Sequence, residues 1–143
     1  MELVAPSGPV YQAGTLSANP VGMRAGLATL QKIERVNAYA VLEERTGSFC
    51  DQLNDEMEKR GLPFQLTRTA SIFWLHARTN DPIRRIDQIP PEHSAAFAKV
   101  FHRALSHGVY LAPSGFEVSF MSLAHTDELL EKARVAILKA AEL

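Results

Sequence analysis

Cysteine, long apolar runs and net charge are all scarce in this sequence of 143 residues. The single cysteine, Cys50, excludes an internal disulfide framework and is typical of a reducing compartment. No apolar run approaches the ~20 residues that a membrane-spanning helix needs, and the N-terminus lacks a signal-peptide pattern. A formal net charge of −1 offers no electrostatic attraction to nucleic acid or an acidic membrane. We therefore expect a soluble protein with neither partner, cytoplasmic or organellar after loss of a transit peptide.

Common catalytic and metal-binding motifs are missing as well. His102 and His107 lie five residues apart, whereas two ligands on one helical face lie three or four apart. The sequence has no nucleophile elbow, P-loop or glycine-rich dinucleotide fingerprint. Cys50 lies in a helical pattern, where buried packing is a more common role than nucleophilic attack. We therefore expect no metal site.

The apolar spacing predicts a single α+β domain. Helices are expected at about 20–33, 36–60 and 91–107, with a last helix after a Thr126 cap. Strands are expected at about 64–68, 71–77, 109–111 and 117–123, and a loop at 78–90. Short connections permit antiparallel pairing, so we predict a small antiparallel sheet with helices packed on one side.

Several side chains are expected to be buried by these helices. Gly22 and Gly26 lie on one face of the first helix and predict a closely packed neighbour. Trp74 could line a ligand pocket, but packing in the core or at a domain interface is the favoured interpretation. The predicted inward residues of the later helices are Tyr39, Leu42, Phe49, Leu53, Met57, Phe97, Val100, Phe101, Ala104, Leu105, Leu129, Leu130, Ala133, Ile137 and Leu138.

The segment 8–20 carries the strongest local signal for a ligand. Gly14 permits close approach to the main chain, and Thr15 adds a hydroxyl and an amide that suit an anion. Asn19 followed by Pro20 is typical of a helix N-cap with proline at the first helical position. These residues by themselves favour an ordinary loop before a helix over a phosphate site.

Three segments of the sequence resemble the class III pyridoxal-phosphate aminotransferases, in particular their glutamate-1-semialdehyde 2,1-aminomutase members. They are Tyr11-Gln-Ala-Gly-Thr-Leu-Ser-Ala-Asn-Pro20, Ala112-Pro-Ser-Gly-Phe-Glu117 and Ser122-Leu-Ala-His-Thr-Asp-Glu128. The resemblance covers essentially the whole chain but only the C-terminal part of those enzymes. The family usually has glycine in place of Ala18, glutamine in place of Gly115 and Ala-Gly in place of Val118-Ser119.

The resemblance implies a fold, a reaction and two binding sites. The fold would be the small C-terminal domain of a fold-type I aminotransferase, residues 1–19 forming an interface loop. The whole enzyme would be a homodimer that converts a small molecule, glutamate-1-semialdehyde, to the tetrapyrrole precursor 5-aminolevulinate. Gly14 and Thr15 would bind the pyridoxal phosphate of the neighbouring subunit, and Glu117 would lie near the substrate's amino groups. From the residues alone, Glu117 is more simply a solvated glutamate at a strand edge.

A lysine for the Schiff base is not recognisable in this chain. Pyridoxal-phosphate aminotransferases need one, and the resemblance places it in a preceding large domain. We therefore assign no catalytic residue to this chain, expect the isolated chain to be inactive, and interpret Met1 as the start of a fragment. Two alternatives stay open: part of another class III ω-aminotransferase, or a free-standing, non-catalytic domain that binds a phosphate compound or a partner protein.

Overall fold

The computed structural model describes residues 1–143, which form two compact units, Met1–Val36 and Asn37–Leu143. The first unit contains one helix, α1, and the second contains three helices and a three-stranded antiparallel sheet. The elements are α1 (Pro20–Arg35), α2 (Ala38–Lys59), β1 (Phe64–Thr69), β2 (Ile72–Ala77), a 3₁₀ turn (Ile86–Gln88), α3 (His93–Ser106), β3 (Ser119–Phe120) and α4 (Asp127–Ala141). The predicted α+β class with a small antiparallel sheet is confirmed.

Helix α1 begins at the predicted cap. The Asn19 side-chain oxygen accepts a hydrogen bond from the Gly22 amide at 2.9 Å, and Pro20 follows the cap. None of the residues of α1 is buried. The packing partner predicted for its glycine face is not found: a Cβ at Gly26 would meet no atom within 4 Å, and one at Gly22 would meet only Asn19.

The sheet has the order β1-β2-β3. Strands β1 and β2 form a hairpin in which Leu66 pairs with Leu75, and Ala70 in its turn has a φ of 46°. The third strand is so short that it pairs only with Ile72 and Phe73. Beyond Phe73, therefore, no strand pairs with that side of β2.

The core of the second unit lies between the sheet and the three helices. It includes Phe49, Cys50, Leu53 and Met57 from α2, Phe64 and Leu66 from β1, Phe73 and Leu75 from β2, Phe97, Val100 and Ala104 from α3, and Ile137, Leu138, Ala140 and Ala141 from α4. Cys50 is fully buried, and this burial raises the pKa of its thiol to about 12. Its packing role agrees with the expectation from sequence.

The outer edge of β1 is covered by a side chain. The Asn54 amide of α2 donates to the Leu66 carbonyl at 2.9 Å, and its oxygen accepts from the Leu66 amide at 2.8 Å. Asn54 thus satisfies both backbone groups of one edge residue, as a neighbouring strand would.

One predicted strand was wrong and another was too long. Residues 109–111 are not a strand, because the Val109 amide bonds back to the Ala104 carbonyl and caps the C-terminal end of α3. Leu111 is nevertheless buried, which explains the apolar signal there. The strand predicted at 117–123 is reduced to Ser119–Phe120, because the preceding residues are occupied by a turn.

Three predicted inward residues were also wrong, since Tyr39, Leu105 and Leu129 are exposed at 73%, 46% and 50%. Periodicity identifies the apolar face of a helix but not how far its packing partners extend along it. The buried part of α4 lies nearer its C-terminus, at Ala136–Leu138, Ala140 and Ala141. None of the helices combines the length and apolar character that membrane crossing requires.

Candidate functional site

Gly14 and Thr15 lie in an exposed turn that leads into α1. The Ser17 amide donates to the Gly14 carbonyl at 2.9 Å, and the Asn19 amide donates to the Leu16 carbonyl at 3.3 Å. A Cβ at Gly14 would collide with the Ser17 hydroxyl, although rotation of that short side chain would relieve the contact. The turn itself therefore demands glycine only weakly.

Ala18, in the same turn, adopts a backbone conformation that favours glycine. Its φ is 56°, in the left-handed region that costs residues other than glycine about 1–2 kcal/mol. The family resemblance places glycine at this position. The backbone conformation supplies the physical reason for that glycine, and this chain carries the strain with alanine.

The residues of this turn fit an anion such as a phosphate group. Neither the amide nor the hydroxyl of Thr15 forms a hydrogen bond within the chain, so both are available as donors. The side chain is exposed, and α1 begins five residues later with its dipole. No cationic side chain contributes to this donor set, so the turn could supply only part of a phosphate site.

Glu117 ends a tight turn in the second unit. Its amide donates to the Ser114 carbonyl at 3.1 Å, and the Phe116 amide donates to the Ser114 hydroxyl at 3.3 Å. The Glu117 side chain is exposed and forms no ion pair or hydrogen bond within the chain. Its carboxylate is thus available to an external cation or amine, while its backbone is held.

The turn is anchored through the carbonyl oxygen of Gly115. This oxygen accepts one hydrogen bond from the indole nitrogen of Trp74 at 2.7 Å and another from Nε2 of His93 at 2.7 Å. Trp74 is half-buried, whereas His93 is fully buried at the start of α3. The ring of Phe116 packs edge-on against His93, with centroids 5.5 Å apart.

A second buried histidine, His76, lies beside this anchor. Its ring stacks on Trp74 with centroids 4.5 Å apart, and its Nδ1 donates to the Ala77 carbonyl at 2.8 Å. The remaining ring nitrogen, Nε2, is buried without a partner. Burial is the main cause that lowers the pKa of His76. The hydrogen bond to the Ala77 carbonyl partly opposes this shift, and nearby His93 adds slightly to it.

The segment Ser122–Glu128 forms the start of α4. The Thr126 hydroxyl accepts from the Leu129 amide at 3.3 Å, which confirms the predicted cap. His125 Nδ1 accepts from the Ser122 amide at 3.0 Å, and the His125 carbonyl accepts from Arg45 of α2 at 2.9 Å. This motif therefore has a structural explanation, namely a capped helix start tied to α2.

No lysine of the chain lies in a buried site. All five are exposed on helices, at Lys32, Lys59, Lys99, Lys132 and Lys139. Two of them pair with glutamates: Lys59 lies 3.9 Å from Glu56, and Lys132 lies 2.7 Å from Glu128. No group of three or more histidine, cysteine, aspartate or glutamate side chains is arranged to hold a metal ion.

No protein-family model matches the chain, but its relatives are clear. It is 54% identical over 142 residues to the glutamate-1-semialdehyde 2,1-aminomutase of Bdellovibrio bacteriovorus, covering 99% of this chain and 33% of that protein. It is 55% identical over 133 residues to the enzyme of the same name from Leptospira interrogans, covering 92% and 30%. The chain is therefore similar to one part of these aminomutases. It spans about a third of the length of the aminomutases that it matches.

Solved structures of related enzymes share the fold. A β-phenylalanine aminotransferase from Variovorax paradoxus is 26% identical with a TM-score of 0.79, over 92% of this chain and 30% of that one. An ω-transaminase from Sphaerobacter thermophilus is 23% identical with a TM-score of 0.72, over 96% and 32%. The sequence identity of this chain to the two aminomutases is therefore about twice its identity to these two transaminases.

Sequence reasoning did not find the anchor beneath Glu117. The sequence favours packing for Trp74, and no motif or spacing in it points to His93. The available signal was Gly115, the departure from the family's usual glutamine. A Cβ there would lie 2.8 Å from His93 Nε2 and 2.9 Å from Phe97 Cγ, so the surrounding rings leave no room for a side chain.

Proposed function

We propose that this chain is the C-terminal part of a glutamate-1-semialdehyde 2,1-aminomutase. The complete enzyme converts glutamate-1-semialdehyde to 5-aminolevulinate for porphyrin synthesis, uses pyridoxal phosphate, and works as a cytoplasmic homodimer. The observation that carries the proposal is 54% identity to a named aminomutase over nearly the whole chain, against 26% and 23% for the two transaminases.

Gly14 and Thr15 bind the cofactor phosphate of the neighbouring subunit. The unpartnered amide and hydroxyl of Thr15 supply two donors, and Gly14 keeps the adjacent backbone open to the anion. Bound pyridoxal phosphate supplies a carbonyl that exchanges amino groups and a ring that delocalises negative charge. A shared site of this kind requires a symmetric dimer. Exposed apolar side chains on α1, among them Met23 and Leu30, are consistent with an interface.

Glu117 orients the substrate through its amino groups. An ionised carboxylate accepts charge-assisted hydrogen bonds from an ammonium group, and it can hold a proton that an amine releases. The tight turn fixes its backbone while the side chain stays exposed. In this arrangement Glu117 selects substrates that carry an amino group close to the reacting carbon.

The rival function is that of a class III ω-aminotransferase. The observation in its favour is the shared fold with the ω-transaminase and the β-phenylalanine aminotransferase. Both functions use the same cofactor, so binding of pyridoxal phosphate does not separate them. The two functions are separated by turnover of glutamate-1-semialdehyde without an external amino donor, which only an aminomutase carries out.

A chimera tests the proposal directly. The C-terminal third of the Bdellovibrio aminomutase is replaced by this chain, and 5-aminolevulinate formation is compared with transamination of β-phenylalanine. We expect aminomutase turnover, reduced about 10- to 100-fold by Glu117→Gln, which removes a charge-assisted hydrogen bond. Glu92→Gln, an exposed glutamate at the start of α3, is the matched control. Transamination without aminomutase turnover, or an unchanged rate in Glu117→Gln, would favour the rival.

The phosphate role is tested in the same chimera. Thr15→Val removes the hydroxyl and is expected to raise the concentration of pyridoxal phosphate needed for half-maximal activity. Thr29→Val removes a hydroxyl that only bonds its own helix, at 2.9 Å to the Ala25 carbonyl, and serves as the control. Equal cofactor requirements in both variants would remove Thr15 from the site. Phosphate binding by the 143-residue chain alone, abolished by Thr15→Ala, would instead support a free-standing binding domain.

A further inference from the structure

We propose that Trp74 and His93 are positioning residues for Glu117, acting through the Gly115 carbonyl. The inference rests on the proposed role of Glu117 and adds the means by which its carboxylate is held in place. Three observations carry it: a carbonyl with two buried or half-buried donors, a histidine ring oriented from its other side, and a lack of space at Gly115.

The Gly115 carbonyl has both of its acceptor positions filled. Trp74 Nε1 and His93 Nε2 each lie 2.7 Å from the oxygen. The two donors come from different elements, β2 and α3, and are 41 and 22 residues from Gly115 in sequence. A carbonyl held from two directions leaves its peptide plane little freedom to rotate.

The His93 ring is itself oriented by the open side of β2. The Ala77 amide donates to His93 Nδ1 at 3.2 Å, so this nitrogen carries no proton. Nε2 therefore carries the proton and donates it to the Gly115 carbonyl. Because β3 ends before this point, the Ala77 amide has no strand partner, and the histidine takes the place of one.

Packing removes the remaining freedom of the turn. A Cβ at position 115 would come within 3.0 Å of both His93 and Phe97. The Phe116 ring lies edge-on to the same histidine, and the Glu117 amide bonds back to Ser114. The exposed Glu117 side chain forms no hydrogen bond or ion pair within the chain, so its location depends on the backbone held by these residues.

The anchor can be observed without any activity. The chain contains one tryptophan, so a ¹⁵N-labelled sample gives a single indole N–H signal. We expect this proton to be protected from solvent exchange, and His93→Asn and Gly115→Ala to accelerate its exchange at least about fivefold through local opening. His102→Asn, an exposed histidine of the same helix, is the control. Exchange at the rate of free indole in the unaltered chain would overturn the anchor.

The positioning role is tested by a double-mutant cycle in the chimera. Trp74→Phe keeps a ring but removes the donor, and should lower kcat/KM about 2- to 10-fold. In the Glu117→Gln background the same change should cost almost nothing, because the two residues act together. His93→Gln keeps an amide donor near the Nε2 position and should retain more activity than His93→Asn, which does not reach the carbonyl.

The outcomes separate this inference from the proposed function. If Glu117→Gln has no effect, the proposed function fails and the positioning role fails with it. If Glu117→Gln is damaging but the losses from Trp74→Phe and Glu117→Gln simply multiply, only the positioning role is overturned. Equal activity of His93→Gln and His93→Asn would also overturn it.

Discussion

Asn54 offers a quantitative test of how α2 is attached to the sheet. Replacing it by aspartate changes one atom: the oxygen that accepts from the Leu66 amide stays, and the donor to the Leu66 carbonyl is lost. Leu66 is only 5% exposed, so few water molecules can replace that donor. A charged oxygen would also face the Leu66 carbonyl across the former hydrogen bond.

The expected cost follows from the hydrogen bonds involved. One intramolecular hydrogen bond contributes about 0.5–1.5 kcal/mol net, and a buried carbonyl left without a donor costs about 1–3 kcal/mol. We therefore expect Asn54→Asp to lower the free energy of unfolding by about 1–3 kcal/mol at neutral pH. Asn54→Ala removes both bonds and should cost at least as much. For a domain stable by ~5–15 kcal/mol, either loss is large.

Urea unfolding followed by tryptophan fluorescence measures this effect. Trp74 lies in β2, so its emission reports on the second unit, residues Asn37–Leu143. With a denaturant slope of about 1–3 kcal/mol per M, the midpoint should fall by roughly 1 M. Asn80→Asp, at an exposed asparagine without side-chain hydrogen bonds, controls for the added charge. Equal midpoints for the two aspartate variants would refute the role of Asn54 at the sheet edge.

Two further predictions concern the stability of the same unit. Ala70 has a φ of 46°, so Ala70→Gly should raise the free energy of unfolding by about 0.5–1 kcal/mol, whereas Ala98→Gly, on the exposed face of α3, should lower it by about 1 kcal/mol. Urea unfolding measures both changes. A rise or a fall of the free energy of unfolding in both variants would contradict the argument from the Ala70 backbone conformation. Burial lowers the pKa of His76 from 6.5, so the unfolded chain binds more protons and stability should fall as the pH drops below about 6.5. Unfolding measured at several pH values should show a weaker dependence in His76→Phe than in His102→Phe, and equal slopes would contradict this assignment.

Local signals in the sequence were sufficient for most of the fold. The caps at Asn19 and Thr126 are confirmed by hydrogen bonds within three residues, and the β1–β2 hairpin was located within a residue or two. These features arise from contacts between residues that are close in sequence, which is why spacing and residue type predict them. The strand predicted at 109–111 failed because an apolar run indicates burial without saying whether a strand lies alongside.

The sequence by itself determined the helices, the first two strands and the class of fold, whereas the binding roles of Gly14, Thr15 and Glu117 came from the family resemblance. Only the tertiary structure showed how the Glu117 turn is anchored, since Trp74, His93 and Gly115 come from distant parts of the chain. It alone showed that Asn54 covers the edge of β1 and that His76 is buried with an unpartnered nitrogen. Such contacts depend on which backbone groups remain unpaired after the sheet has formed. No local sequence pattern predicts them, because the backbone groups of β2 that the short β3 leaves unpaired are known only once the strands have paired.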